Sequence, residues 1–319
     1  MVSKPSRDCL VITGATATGK TDVAIEVARE LNGEIISADS RQVYRGMDIG
    51  TAKASPEQRA LVPHHGVDLL PPTERYNAGR FADDARRWIN DIQARGHVPV
   101  LVGGTGFFLR ALTHPMFAEP DLDPQRKEAL KRLLNSRSRA ELMDWLKTLD
   151  RVSADSLPPE AGRQRIARMI EIVLLTGRPL RWWHQHGPQP EPPVRTMTFV
   201  LELPRDDLYA RINQRVVEMM NRGLVQEVEG LLVAGVAENS PGMKTVGYAE
   251  VLPYLRGEYG MDAAIDAIQR ATRAYARRQV TWFRHQLAEP VLRINAEQPR
   301  DVIVRTIVTE WQKHHANRN

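Results

Sequence analysis

Gly14-Ala15-Thr16-Ala17-Thr18-Gly19-Lys20-Thr21 follows the apolar run Cys9-Leu10-Val11-Ile12 with only Thr13 between. The octapeptide fits GxxxxGK[ST], and its flanks read as a buried strand before it and a helix from about Thr21 after it, the setting this pattern requires. Glycines let the backbone turn tightly and aim its N–H groups inward, which makes a nest for phosphate oxygens. The helix that follows adds the positive end of its dipole. Lys20 supplies a mobile positive charge, and the Thr21 hydroxyl is placed to bind Mg²⁺. Gly14, Ala15, Thr16, Ala17, Thr18, Gly19, Lys20 and Thr21 are therefore expected to hold a diphosphate or polyphosphate.

Working outward, strands are expected at 9–13, 34–38 and 98–102, with helices at about 21–31 and 80–95. The helix at 80–95 carries Phe81, Ala85, Trp88, Ile89 and Ile92 on one face. Alternating β and α of this kind predicts a parallel sheet covered by helices on both faces, a P-loop NTPase-like α/β core. Ligands of such sheets lie beyond the strand C-termini, and the loop, Asp39 and Thr105 all fall there. From about Ala111 to Arg195 only helices are legible. Ser138-Arg139-Ala140-Glu141 is a capping box, and Gly177 is placed to end a helix over 163–176. Residues 186–193 read as a stiff proline-rich linker. A returning strand is expected at 196–203 and a mostly helical remainder after it. The resulting division is a catalytic α/β core of 1–112 and 196–319 with an all-helical insertion at 113–195.

Length and composition set bounds. The chain has 319 residues and 42% apolar residues, enough for a large core. A single cysteine, Cys9, rules out an internal disulfide framework and a Cys-rich zinc module. The short lead into the first strand leaves no room for a signal sequence, and no apolar run approaches membrane-spanning length, so a cytoplasmic protein is expected. Net charge is +5, a weak signal in itself, but its distribution is uneven. No acid lies between Asp266 and Glu289, where Arg270, Arg273, Arg277, Arg278 and Arg284 are interleaved with Tyr275, Trp282 and Phe283. Arg163, Arg165, Arg168, Arg178 and Arg181 are opposed only by Glu171. Such runs are either solvated faces or a surface for a polyanion.

The stretch 39–53, Asp-Ser-Arg-Gln-Val-Tyr-Arg-Gly-Met-Asp-Ile-Gly-Thr-Ala-Lys, puts a carboxylate at a strand end facing the phosphate loop. Asp39 there suits two roles: a Mg²⁺ ligand through water in a generic NTPase, or a cap on the next element.

At this point the sequence resembles the bacterial tRNA dimethylallyltransferases, or tRNA isopentenyltransferases, over nearly its whole length. Residues 39–53 are similar to the family's DSxQVYRGMDIGTAK. His64-His65, Asp68 and Pro72–Tyr76 resemble its HHLID…PxExY, and Gly103–Gly106 its GGTG. Residues 164–171 look like its QRxxRALE, residues 211–219 its RIxxRvxxM, residues 244–248 its xxxGY, and residues 272–284 its TRxYAKRQxTWFR. The chain departs from the pattern at Ala15, where the family has proline, and at Phe107-Phe108, where it has Leu-Tyr. It departs again at Pro158-Pro159-Glu160-Ala161, where the family has HPND.

The resemblance implies transfer of a dimethylallyl group from its diphosphate to N6 of adenosine 37 in a tRNA anticodon loop, releasing diphosphate with Mg²⁺ held on Thr21. It implies Asp39 as base, with Thr105 and Arg215 beside it. It implies tRNA contacts by Asp39, Ser40, Arg41, Gln42 and Tyr44; by Gln164, Arg165, Ile166, Ala167 and Arg168 of the insertion, which would grip the anticodon stem–loop; and by Lys244, Gly247, Tyr248, Arg277 and Arg278. The arginines at 163, 165 and 168 are expected to stand free on the helix face opposite Ile166, Met169 and Ile170. Tyr248, Trp282, Phe283 and Trp182-Trp183 are candidates for stacking on bases, with the core as the alternative. A monomer is expected. The rivals are a P-loop kinase of small metabolites, a sister transferase acting on free adenine nucleotides and an RNA-associated ATPase.

Overall fold

The first strand, β1 (Asp8–Gly14), is buried along its whole length, as an inner strand of a parallel sheet must be. The computed structural model describes residues 8–114, 122–186 and 192–316. After β1 come α1 (Lys20–Glu30), β2 (Gly33–Ser37), α2 (Pro56–Leu61), β3 (His64–His65), α3 (Ala78–Ala94), β4 (Val98–Gly103) and α4 (Gly106–Thr113). Helices α5 (Pro124–Asn135), α6 (Arg139–Leu149), α7 (Arg151–Asp155), α8 (Arg163–Thr176) and α9 (Leu180–His186) follow. The chain then returns through β5 (Arg195–Glu202), α10 (Arg205–Asn221), α11 (Leu224–Val233), α12 (Tyr248–Leu255) and α13 (Met261–His285). It closes with β6 (Val291–Asn295) and α14 (Arg300–Ala316).

The six strands form one parallel sheet in the order β3-β2-β4-β1-β5-β6. Strand β1 is central and in register with β4 on one side, Ile12 beside Val102, and with β5 on the other, Ile12 beside Phe199. One core cluster joins Leu10, Ile12, Val100 and Phe199 of the sheet to Val23, Ala24, Val27 and Ala28 of α1 and to Ile303, Val304, Ile307 and Trp311 of α14. Helix α3 buries Phe81, Ala85, Ile89 and Ile92, the face read from its period, and Phe81 stacks on Phe108 of α4 with ring centroids 4.3 Å apart. Each of the larger side chains here, Phe81, Ile89 and Ile92, contributes roughly 1.5–3 kcal/mol by leaving water. A separate cluster of Val43, Tyr44, Met47 and Leu70 with Leu224, Val228, Tyr248 and Ile268 fixes the segment that follows β2.

The chain divides into two units, one of residues 1–114 with 193–319 and one of residues 115–192. In the second unit Leu142, Leu146, Ile166, Met169 and Ile170 form their own core. Ser138 and Glu141 cap α6 reciprocally, and Gly177 ends α8 at φ 69°. Two strands depart from the expected pattern. Strand β3 has only two residues, too few for any periodic signal, and β6, at the sheet edge, alternates polar and apolar residues where a helical remainder was expected. Of the proline-rich linker read at 186–193, residues 187–191 lie outside the described residues.

A cluster of partners around the buried Glu34 carboxylate locks the start of β2. Glu34 accepts from Arg95 Nη2 at 2.8 Å and pairs with His65 Nε2 and His97 Nδ1, each at 2.7 Å. Burial alone would raise its carboxyl, but the hydrogen bonds from Arg95, His65 and His97 outweigh it and hold the group down at about 2, below its ordinary value of 4.5. A depressed carboxylate stabilises the fold fully above its unfolded pKa and loses that contribution as pH falls toward the folded value. Glu34→Gln is therefore expected to lower unfolding free energy by roughly 3 kcal/mol at neutral pH. The gap from the wild type should narrow as urea titrations are repeated from pH 4.5 downward. A gap independent of pH in that window contradicts the assignment.

Candidate active site

The phosphate loop is shaped by contacts that only its sequence permits. Gly14 sits at φ 146°, and a Cβ there would stand 2.4 Å from the Leu201 carbonyl oxygen of β5. Ala17 takes φ 65° and Gly19 takes φ 85° to launch α1. Inside the loop, the Thr18 hydroxyl donates to the Ala15 carbonyl at 2.9 Å and Lys20 Nζ donates to the same oxygen at 2.6 Å. Burial, with the Arg215 guanidinium alongside, pushes the Lys20 ammonium down to about 7, while Asp39 pulls it up. The loop borders a polar cavity of about 300 Å³ whose walls include Gly19, Lys20, Thr21, Asp39, Gln42 and Arg215.

Asp39 follows β2 and turns back on itself, Oδ1 accepting from the Arg41 N–H at 2.8 Å. Thr105 occupies the N-cap position of α4, yet its side chain makes no capping bond. Its Oγ1 instead accepts from the Ser40 N–H at 3.0 Å, so Thr105 fastens the turn that carries Asp39. Arg215, from α10, reaches the loop and donates to the Thr16 hydroxyl at 3.4 Å. Burial lowers its pKa, and Asp39 opposes that shift. The structure thus brings Asp39, Thr105, Arg215 and the phosphate loop together.

A second cavity, of about 330 Å³, shares Thr16, Ala17, Asp39, Thr51, Arg215 and Tyr275 with the first. Its other walls are more apolar: Ile212, Val216, Met219, Val246 and Ile268, with Arg41, Lys244, Gly247 and Arg278 at its polar positions. Asp39 and Arg215 stand where a polar space lined by the phosphate loop meets one suited to a flat, partly apolar group. Tyr275 was read from sequence only as an aromatic among arginines. It lies at this junction, its hydroxyl pushed up to about 12 by burial and by Asp39. Gln279 carries no signal beyond its place in the 272–284 segment, although its amide reaches both the phosphate loop and the turn before α4. Partners so far apart in the chain leave no periodic signal.

Several residues expected to touch RNA have other duties. Tyr248 is fully buried, its hydroxyl bonded to Glu227. That carboxylate also accepts from the N–H groups of Asp48, Ile49 and Gly50, so the pair pins the loop of residues 48–50. Tyr44 is 4% exposed in the same core. Gln42 accepts from Ser37 Oγ and spans the carbonyls of Thr51 and Ala52, bracing the loop while lining the polar cavity. Lys53 ties the loop further, its ammonium held by Tyr44 O, Asp48 and Asp68. Phe283 is core at 2% exposure and Trp282, half-buried, packs edge-to-face on it. Ser40 and Arg41 are half-buried, and Arg277 and Arg278 are exposed, Arg278 standing 5.8 Å from the Tyr275 ring centroid.

In the helical unit, Ile166 is fully buried in the core and cannot reach a ligand. Gln164 and Arg165 are exposed and Ala167 is half-buried. The expectation of three free arginines on α8 is corrected. Arg163 donates to the carbonyls of Leu134 and Arg137, which its place at the helix start brings within reach, and Arg168 pairs with Glu171 at 3.0 Å, one turn on. The Arg165 side chain has no hydrogen bond or ion pair among the described residues, its backbone N–H donating to the Gly162 carbonyl at 3.0 Å. Arg181 faces Asp150 at 3.5 Å, and Arg178 lies over the Trp182 ring.

Residues 42–286 match the model of the family described as IPP transferase, and residues 7–61 match that of isopentenyl transferase. A tRNA dimethylallyltransferase of Carboxydothermus hydrogenoformans is 41% identical over 88% of this chain and 89% of its own length. That of Geobacter sulfurreducens is 42% identical over 86% and 88%. The crystal structure of a tRNA isopentenylpyrophosphate transferase from Bacillus halodurans superposes with a TM-score of 0.71 at 34% identity, covering 97% of this chain and 96% of that one. A eukaryotic dimethylallyltransferase acting on tRNA superposes at 0.75 with 27% identity, over 91% and 74%.

Proposed function

The chain belongs to the IPP transferase family and transfers a dimethylallyl group to tRNA; on that premise we propose that the acceptor is N6 of adenosine 37 and that Asp39 takes its proton. The observation that carries this reading is the meeting of the two cavities at Asp39 and Arg215. The dimethylallyl diphosphate lies with its phosphates on the loop, and the adenine, turned out of its stack, enters from the second cavity. As the N6–carbon bond forms, the bond between that carbon and the diphosphate oxygen breaks. The N6 lone pair is conjugated with the ring, so the amine gains nucleophilicity only as its proton passes to the Asp39 carboxylate. Lys20, Arg215 and the loop amides stabilise the charge that collects on the leaving diphosphate. Thr105 positions Asp39 through Ser40.

The residues present fit Mg²⁺. Thr21 lines the polar cavity with Asp22 and Asp39, and among the described residues no cluster of three metal-ligating side chains competes for the ion. The hydroxyl that closes a phosphate loop, completed by substrate phosphate oxygens and water, is the set such loops offer Mg²⁺. When bound on Thr21, the ion would neutralise charge on the departing diphosphate. Among the described residues no helix is long and apolar enough to cross a membrane; a cytoplasmic monomer is part of the proposed reading.

Purified protein is expected to bind dimethylallyl diphosphate without ATP, and robust tRNA-independent ATP hydrolysis would favour the kinase reading instead. The exposed Arg165 is the best-placed tRNA contact of the helical unit. Arg165→Ala should raise the tRNA dissociation constant and lower the slope of log affinity against log salt by about one. Dimethylallyl diphosphate binding should stay unchanged. An unaltered slope would move the tRNA contact to Arg277 and Arg278.

A further inference from the structure

Gln279 lies within α13, 6% exposed, in a stretch otherwise marked by arginines and aromatics. Both ends of its amide are engaged. Oε1 accepts from the Thr16 N–H at 2.9 Å, and Nε2 donates to the Gly104 carbonyl at 2.8 Å. The two partners fix which end of the amide is which. Gly104 is pressed so close that a Cβ there would stand 2.3 Å from Nε2. One neutral side chain therefore joins the phosphate loop to the turn carrying Thr105, and Thr105 in turn holds Ser40 beside Asp39.

We propose that Gln279 is the positioning residue that presets the phosphate loop for the diphosphate and registers it against Asp39, and that this role requires a neutral group which accepts and donates at once. The Thr16 amide is satisfied by Gln279. Among the described residues no acceptor takes the N–H groups of Ala17 or Gly19, which leaves these for phosphate oxygens. A hydrocarbon at position 279 would strand a buried N–H and a buried carbonyl. An ionised carboxylate would still accept from Thr16, but it would lose the bond to Gly104 and set a negative charge on the wall of the diphosphate site.

The proposal rests on the transfer reading above and adds a residue to it. Its test compares Gln279→Leu and Gln279→Glu with the wild type between pH 6 and 8.5. The readouts are calorimetric binding of inorganic diphosphate and the KM and kcat for dimethylallyl diphosphate at saturating tRNA. Gln279→Leu is expected to raise both the diphosphate dissociation constant and KM by about tenfold or more, with tRNA affinity unchanged. Gln279→Glu distinguishes positioning from bulk stability. A protonated carboxyl has the shape of the amide, its carbonyl accepting from Thr16 and its O–H donating to Gly104. Burial raises the pKa of such a group, so diphosphate affinity and KM should approach wild-type values as pH falls and depart from them as pH rises. Diphosphate binding by Gln279→Leu equal to the wild type overturns the proposal. So does a Gln279→Glu variant whose ratio to the wild type is the same at every pH, and this second comparison decides the matter if the leucine variant does not fold. Wild-type transfer is measured in the same series. Its absence would strike the transfer reading, whereas normal wild-type transfer with unshifted variants strikes Gln279 alone.

Discussion

Asp39→Asn is expected to slow transfer by about 10² to 10⁴-fold, the range for loss of a general base, while leaving tRNA affinity unchanged. Asparagine keeps the oxygen that accepts from the Arg41 N–H, so the turn after β2 should hold its shape. The neighbouring Thr105–Ser40 bond does not depend on the carboxylate, so the frame around position 39 remains. Only the capacity to take the N6 proton is removed. Single-turnover rates with saturating tRNA and dimethylallyl diphosphate measure this directly. A near-normal rate would show that another group receives the proton.

Lys20→Met is expected to lower kcat/KM for dimethylallyl diphosphate by about 10² to 10³-fold, the scale on which removing one charge-stabilising donor acts in a site that excludes water. Methionine keeps most of the stem that runs along the loop and deletes the ammonium. In the structure that ammonium rests on the Ala15 carbonyl, inside the polar cavity and near Arg215 and Asp39. It is thus placed to meet phosphate oxygens without rebuilding the loop. Steady-state kinetics over a dimethylallyl diphosphate series, with tRNA affinity measured alongside, check the effect. An unchanged kcat/KM would place the diphosphate elsewhere than on this loop.

Where function depends on local chemistry, the sequence is legible. The phosphate loop, the strand before it and the helix after it are written in one continuous stretch, and so are the α6 capping box and the glycine that ends α8. The position of Asp39 at a strand end is equally readable, because β2 ends at Ser37, with only Ala38 between. Contacts made across long stretches of chain are not. Gln279 meets Thr16 across 263 positions, and Glu227 reaches the loop at 48–50 from α11. A glutamine among arginines and a glutamate on a helix carry no mark of what they will touch. Tyr248 shows the converse: a motif position that invites an RNA contact is occupied by a ring wholly inside the core, held there by Glu227. Arg163 and Arg168 lie on the polar side of an amphipathic helix, yet backbone carbonyls and Glu171 claim them. Strand β6 is hidden because edge strands alternate polar and apolar residues and need no long hydrophobic run.

The most direct test of the account is nucleoside mass spectrometry of tRNA carrying unmodified adenosine at position 37, after incubation with the purified protein, dimethylallyl diphosphate and Mg²⁺. The account predicts one added dimethylallyl group per tRNA, located on N6 of that adenosine, with an equal amount of diphosphate released. Unmodified tRNA, or a dimethylallyl group found on free adenine nucleotides and not on tRNA, would contradict it.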